Sequence, residues 1–222
     1  MNGATKMIDG DPIQSRGPGR PPLRSEEETR AIIVAAAARA FLDTGYVGTG
    51  VDTIARAAGV STRTLYRLFA TKGDLLKKAM EARIDTAFGQ LVAARAAGAA
   101  GADPRSSLEL LLGGYAELAL SDEAVRLTRL IVAERQGVPA LVESYRQATA
   151  RVAGLFDGWI DEQQRTGFLR PGNAEMAAHL LRGTINEAQR QILLGLREPL
   201  TADERRAWVT ASVAMVLDGL AA

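Results

Sequence analysis

The sequence contains no cysteine and a single histidine, His179. Without cysteine there are no disulfides, no thiolate metal sites and no cysteine nucleophile, and a reducing compartment fits. Carboxylate metal centres in helical bundles use Glu-x-x-His pairs on inward faces. One histidine cannot supply two such motifs, and Glu175 stands four residues before His179, a spacing for a local pair or a cap. The chain has no phosphate-loop Gly-Lys pattern, no nucleophile elbow and no zinc motif. Acidic pairs such as Asp161-Glu162 read as solvated surface. No catalytic residue, metal or cofactor is expected, so the chain is not read as an enzyme. There is also no run of about 18 apolar residues, the length that spans a bilayer, and no basic patch followed by an apolar stretch at the N-terminus. No membrane partner is expected, and the cytoplasm is the expected compartment.

What is present suits a globular protein. Hydrophobic residues make up 47% of 222 residues and charged residues 24%, enough to bury a sizeable core. Net charge is only +1 but is spread unevenly. Residues 13–80 carry 11 Lys/Arg against 6 Asp/Glu, whereas residues 81–222 carry 15 against 18. A basic first third is what a chain shows when one end meets a polyanion.

The pattern is helical nearly throughout. Ser25 and Glu28 have capping-box spacing, and Ile33, Ala36, Ala37, Ala40 and Phe41 repeat at helical intervals up to Gly45. Helices are predicted over 51–58 and to Phe69, then from a Thr71/Asp74 cap toward Ala97. Asp103-Pro104, Ser121, Pro139, Asn173 and Thr201/Glu204 open the remaining helices. The fold class is therefore all-α with about nine helices, in an N-terminal three-helix helix-turn-helix domain and a larger helical domain. The expected division is a disordered basic arm over 1–24, the helix-turn-helix domain over 25–87 with its motif at about 50–69, and the helical domain over 88–222, whose ligand-binding and dimerisation roles are what the resemblance given below implies.

The stretch from Thr49 to Phe69 carries the chemistry. Two short helices meet at Gly59, and Ser61 can cap the second. Val51, Ile54, Ala55 and Ala58 face Val60, Leu65, Leu68 and Phe69, which leaves Thr62, Arg63, Thr64, Tyr66 and Arg67 exposed. Such a polar, cationic face suits a major groove, where Arg reads guanine and Thr meets thymine methyls.

Here the sequence resembles the TetR family of bacterial transcriptional regulators. The matching residues are Ala40-Phe41, Gly45-Tyr46, Val51 to Ala55, Ala58 to Ser61, Leu65-Tyr66, Phe69, Thr71-Lys72 and Leu75-Leu76, within roughly residues 27–87. Gly50 departs from the Thr or Ser often found there. The resemblance implies that Thr64, Tyr66 and Arg67 contact bases or phosphates, that Thr62 and Arg63 tune the sequence read, and that Lys72 and Thr49 meet phosphate. Further on, Leu130 to Arg135, Val138 to Leu141 and Gly167 to Pro171 resemble the C-terminal domain of AefR-like members, over perhaps residues 105–200. That implies a body that binds an unknown small-molecule effector and forms a homodimer through the last two helices. Gly183, Ala211 and Ser212 would permit close approach there, with Trp208 and Met215 adding apolar area. The resemblance further implies a repressor on double-stranded DNA with a palindromic operator.

Within the body, Tyr145, Thr149, Val152, Phe156 and Trp159 form one stripe and Leu108, Leu111, Leu112 and Tyr115 another. Both are read mainly as core. Tyr115, Trp159, His179 and Asn186 are the candidate effector contacts. A ligand-independent or architectural DNA-binding protein that relies on its basic arm is the alternative; a collapsed body core would favour it, a defined cavity the effector-responsive reading.

The arm has its own signal. Arg16, Arg20 and Arg24 surround Gly-Arg-Pro in a Gly- and Pro-rich stretch. This resembles the core of an AT-hook, which lies in a narrow minor groove; the other reading is a solvated leader. If the hook operates, deleting residues 1–24 lowers DNA affinity, chiefly on A·T-rich flanks. Unchanged affinity at low salt, measured by mobility shift, would leave the leader.

Overall fold

Ser25 opens the first helix as its spacing requires. Its hydroxyl accepts the Glu28 amide while the Glu28 carboxylate accepts the Ser25 amide, so two otherwise orphaned donors are satisfied. The computed structural model describes residues 24–99 and 103–220. Among these it contains nine helices. Arg24 is exposed ahead of the first helix, whereas Arg16 and Arg20, and with them the arm expected to be disordered, lie outside the described residues.

The head consists of α1 (Glu26–Gly48), α2 (Val51–Ala58), α3 (Thr62–Leu68) and the first half of α4 (Lys72–Ala99). α1 is bent at Gly45, whose φ of 73° and ψ of 174° lie outside the helical region. α1 is the one described helix long and apolar enough to cross a membrane by length and composition. Its apolar face has another use: Ile33, Ala37 and Phe41 are buried against Ile54, Leu65, Leu76 and Met80. Each large side chain so buried contributes roughly 1.5–3 kcal/mol.

The body consists of α5 (Pro104–Ala119), α6 (Asp122–Glu134), α7 (Pro139–Arg165), α8 (Ala174–Leu193) and α9 (Ala202–Leu220). Asp103, Ser121 and Asn173 cap α5, α6 and α8 through their side chains. The body core joins Leu108, Leu112, Phe156, Trp159, Leu181 and Val213. α4 belongs to both halves, packing on α1 at one end and on α5 and α7 along the rest. The head core also takes in Leu130 of α6 and Leu141 of α7.

Two expectations about the last helices change. Ser212 is buried in the body and cannot mediate approach of a second chain. Trp208 is half-buried against the body core, with the Arg197 guanidinium 4.7 Å over its ring. Met215 on α9 is exposed, as its expected role requires, and it is joined by Met176 and Leu180 on α8.

The head's reading geometry turns on Gly59. Its φ of 66° and ψ of 34° are left-handed, and its amide closes α2 on Ala55 and Arg56. A Cβ added there meets nothing within 4 Å, so the demand is conformational and not steric. Gly59→Ala should therefore lower stability by about 1–2 kcal/mol, read as a shift in denaturant midpoint at constant slope, with Gly59→Asn costing less. An unchanged midpoint for the alanine variant would mean that the turn relaxes out of this conformation.

Candidate nucleic-acid interface and inner cavity

α3 is held at both ends. Ser61 caps it, accepting the Thr64 amide at 3.1 Å, and the two hydroxyls lie 2.9 Å apart. Thr62 donates its hydroxyl to Asp52 of α2 at 2.9 Å, which fixes the angle between the two helices. At the other end Arg30 of α1 donates to the Leu68 carbonyl at 2.8 Å, with its guanidinium 5.7 Å from the Phe69 ring centre. A cation at a helix C-terminus also complements the macrodipole.

The exposed face of α3 then presents Arg63, Tyr66 and Arg67, with Thr64 partly covered. Tyr66 is 50% exposed although aromatic. Arg67 donates to Glu26 at 2.8 Å. Hydrogen bonds from Arg67 and Arg30 hold the Glu26 carboxyl below its ordinary range. Lys72, at the first turn of α4, sits 4.4 Å over the Tyr46 ring, and Thr71 and Asp74 cap that turn reciprocally. Arg63, Tyr66 and Arg67 thus share the exposed face of α3, with Thr64 beside them, and Lys72 stands at the start of the next helix.

Thr49 does not join them. It is 3% exposed, and its hydroxyl lies 2.6 Å from the Gly45 carbonyl and 2.7 Å from the Thr44 hydroxyl. A hydroxyl carries one proton; donated to Gly45, with Thr44 donating to it, Thr49 ties the bend of α1 to the start of α2. The expected phosphate contact from this hydroxyl is withdrawn.

In the body, a cavity of about 380 Å³ lies among α4, α5, α6, α7 and α8. Tyr115 and Asn186 both line it, and the Tyr115 hydroxyl donates to the Asn186 side-chain oxygen. Burial, opposed by Arg182 and by the hydrogen bond to Asn186, pushes the Tyr115 phenol up to about 12, so it stays a donor at neutral pH. The Tyr115 ring meets Phe156 edge-on at 5.8 Å. Trp159 and His179 do not line the cavity. Trp159 is buried in the core with its indole N–H on Ser107 at 3.1 Å, and His179 is exposed on α8. The α7 stripe therefore divides: Tyr145, Thr149 and Val152 face the cavity, whereas Phe156 and Trp159 fill the core.

Among the cavity residues that sequence reasoning missed are Phe88, Arg182 and Gln189. The signal was the position of Arg182 and Gln189 on α8. Each directly follows a core residue, Leu181 or Ala188, at the helical interval shared with Asn186 after Ile185. Phe88 is covered from outside by Arg151, 4.0 Å over its ring, and Arg151 also pairs with Asp85 at 2.6 Å.

Comparisons with known proteins agree with both halves. Residues 33–79 match the model of the tetR family of bacterial regulatory proteins, and residues 106–220 that of the AefR-like transcriptional repressor C-terminal domain. No curated protein matches the sequence. A TetR-family transcriptional regulator from Mesorhizobium loti superposes with a TM-score of 0.82 at 20% identity, covering 90% of this chain and 100% of that one. The flavonoid-responsive regulator FrrA gives 0.68 at 23% identity, with 88% and 98% covered. FadR from Bacillus subtilis, in complex with stearoyl-CoA, gives 0.65 at 20%, with 85% and 98% covered. These likenesses show the fold.

The placement of Thr49 can be checked directly. Thr49→Val leaves the Gly45 carbonyl without its hydroxyl partner, a loss of about 1–3 kcal/mol, while the Thr44 hydroxyl keeps the Ala40 carbonyl at 3.0 Å. Thr49→Ser should keep most of the stability. Thermal melts read both, and the salt dependence of DNA binding should not change. Full stability with a several-fold loss of DNA affinity in Thr49→Val, recovered in Thr49→Ser, would restore the phosphate role.

Proposed function

The chain belongs to the TetR family of bacterial regulatory proteins, and on that premise we propose that it is a dimeric repressor released from a palindromic operator by a small-molecule effector held in the inner cavity. As a member it is a DNA-binding transcriptional regulator of the repressor type.

α3 enters a major groove, with Arg63 toward base edges and Thr64, Tyr66 and Arg67 on bases or phosphates. Thr62 shapes this surface through Asp52. Lys72, placed over Tyr46 at the N-terminus of α4, adds a cation to a helix end already favourable to phosphate. In the dimer two such heads sit about 34–36 Å apart on successive grooves. Met176, Leu180 and Met215, 56%, 58% and 67% exposed, support self-association through α8 and α9. Gly183 lies on α8 as well.

The observation that carries the effector step is the position of Leu127 on α6. It lines the cavity and also packs against the head core, where Leu130 is buried three residues on. A ligand that displaces α6 must therefore disturb the packing that orients the head. Coupling of about 1–3 kcal/mol, typical between sites, would weaken operator binding roughly 5–150-fold. A flavonoid-responsive regulator and an acyl-CoA-bound regulator share this fold, which supports a ligand in the body. The defined cavity favours this reading over a ligand-independent architectural protein.

The test is a mobility shift on the DNA upstream of the protein's own gene across a salt series. Sequence-specific binding that weakens steeply with salt is expected. Arg63→Ala should relax discrimination at one base pair per half-site by about 1–3 kcal/mol. Lys72→Ala should weaken all sequences alike and reduce the salt slope by about one per head. Salt-sensitive binding with no sequence preference would favour the architectural reading. Absence of binding to any DNA at low salt would overturn the DNA-binding role.

A further inference from the structure

The cavity has an uneven charge inventory. Among its lining residues Arg182 is the only one that carries charge, and no aspartate or glutamate is among them. The Arg182 Nε is buried without a hydrogen-bond partner. Among the described residues Arg182 makes no ion pair and no side-chain hydrogen bond, although most other arginines of the body are engaged with a carboxylate or a carbonyl. An Nε–H that loses water without gaining a partner is unfavourable, while the rest of this half-buried side chain still reaches solvent at the cavity; the planar fork fits a carboxylate with two parallel hydrogen bonds.

We propose that the cavity is a site for a small apolar monocarboxylate, its carboxylate on Arg182 and its apolar body against Phe88, Leu127 and Val152. This rests on the effector-responsive reading for its regulatory meaning, though binding itself does not.

Four observations narrow the class. One cation and no acid favour a single negative charge and disfavour amines. Neutral donors are among the lining residues too: the amides of Asn186 and Gln189 on α8 and the phenols of Tyr115 on α5 and Tyr145 on α7. Gln189 already donates to the Ala119 carbonyl at 2.6 Å, and Tyr115 to Asn186, so the Asn186 amide and Tyr145 are the groups left to meet a carboxylate oxygen. The rest of the lining is mostly aromatic and aliphatic, with Ile84, Phe88, Leu118, Leu127 and Val152. About 380 Å³ is near the lower end for small-molecule sites, which suits an acid with a short or compact body. The other acid to weigh is Asp157 of α7. Its Oδ1 is also buried without a partner, yet it neither lines the cavity nor pairs with Arg182.

The test uses purified full-length protein and matched pairs of probes: 3-phenylpropanoate with 3-phenylpropanamide, and octanoate with octanamide. Calorimetry gives affinities at pH 7.5. At least one acid should bind at least about ten-fold more tightly than its own amide, the difference expected of a charge-assisted contact. In Arg182→Gln that preference should vanish, with the acid weakened and the amide unchanged, and Arg182→Lys should restore part of it. A thermal melt confirms that the variants are folded, and the acid-against-amide comparison in the unaltered protein needs no variant. The proposal is overturned if amides bind as well as acids, if Arg182→Gln leaves the preference in place, or if no acid binds at millimolar concentration. Operator release is scored separately by mobility shift. Arg182-dependent acid binding without release would keep this site and overturn the effector step. Release by a neutral compound, indifferent to Arg182→Gln, would keep the effector step and overturn this site.

Discussion

The head does not close its own core. Leu130 from α6 and Leu141 from α7 are buried among Ile33, Phe41, Leu76 and Met80, so the body supplies part of the hydrophobic contact that keeps α1 to α4 together. Emptying a buried leucine site typically costs about 2–5 kcal/mol, a large share of a domain's stability. The position of the head is therefore tied to the position of two body helices by a contact the chain cannot give up. α4 reinforces the tie, since it packs on α1 and on the body helices alike. Close-packed interiors do not deform continuously; a shift of α6 must be answered by a shift of the head or by loss of that packing.

The cavity is one place where the body departs from dense packing. Its polar groups are mostly satisfied internally: Thr128 donates to the Ala124 carbonyl at 2.8 Å, and Gln189 and Tyr115 have their own acceptors. A site prepared this way needs little reorganisation for the proposed ligand. The exception among its lining residues is Arg182, whose Nε is buried without a partner. A chain that only required a dimerisation body would gain from filling this space with aliphatic side chains, as it does a few residues along α7 with Phe156 and Ile160.

Helix limits and turns were legible because they depend on local chemistry. Ser25, Ser61, Asp103, Ser121 and Asn173 cap the helices their spacing announced, and Gly59 takes the left-handed turn. Orientation was less legible, because periodicity names a face and not the neighbour that covers it. Thr49 turned inward because Gly45 bends α1 just before it. Trp159 went to the core because Ser107 of α5 stands beside its N–H, and His179 stayed outside because α8 puts Leu181 and Ala178 inward instead. Arg182 was missed for the opposite reason: an arginine on a helix reads as solvated until a cavity is found in front of it.

The surface offered to DNA follows from how α3 is restrained. Thr62 is bound to Asp52 and the last carbonyl to Arg30, so neither end of the helix can swing independently of α1 and α2. Arg67 spends the free state on Glu26, an exposed pair whose strength is modest and screened by salt. Replacing Glu26 by a phosphate exchanges one anion for another, so that pair orders Arg67 without blocking it. What is left for discrimination is the middle turn, with Arg63 and Tyr66 exposed and Thr64 beside them. In the proposed dimer, a rigid helix with so few readers is sensitive to its distance from a second copy, because two heads must meet successive grooves together. On that proposal, a small displacement at Leu127 alters occupancy of the operator through this sensitivity.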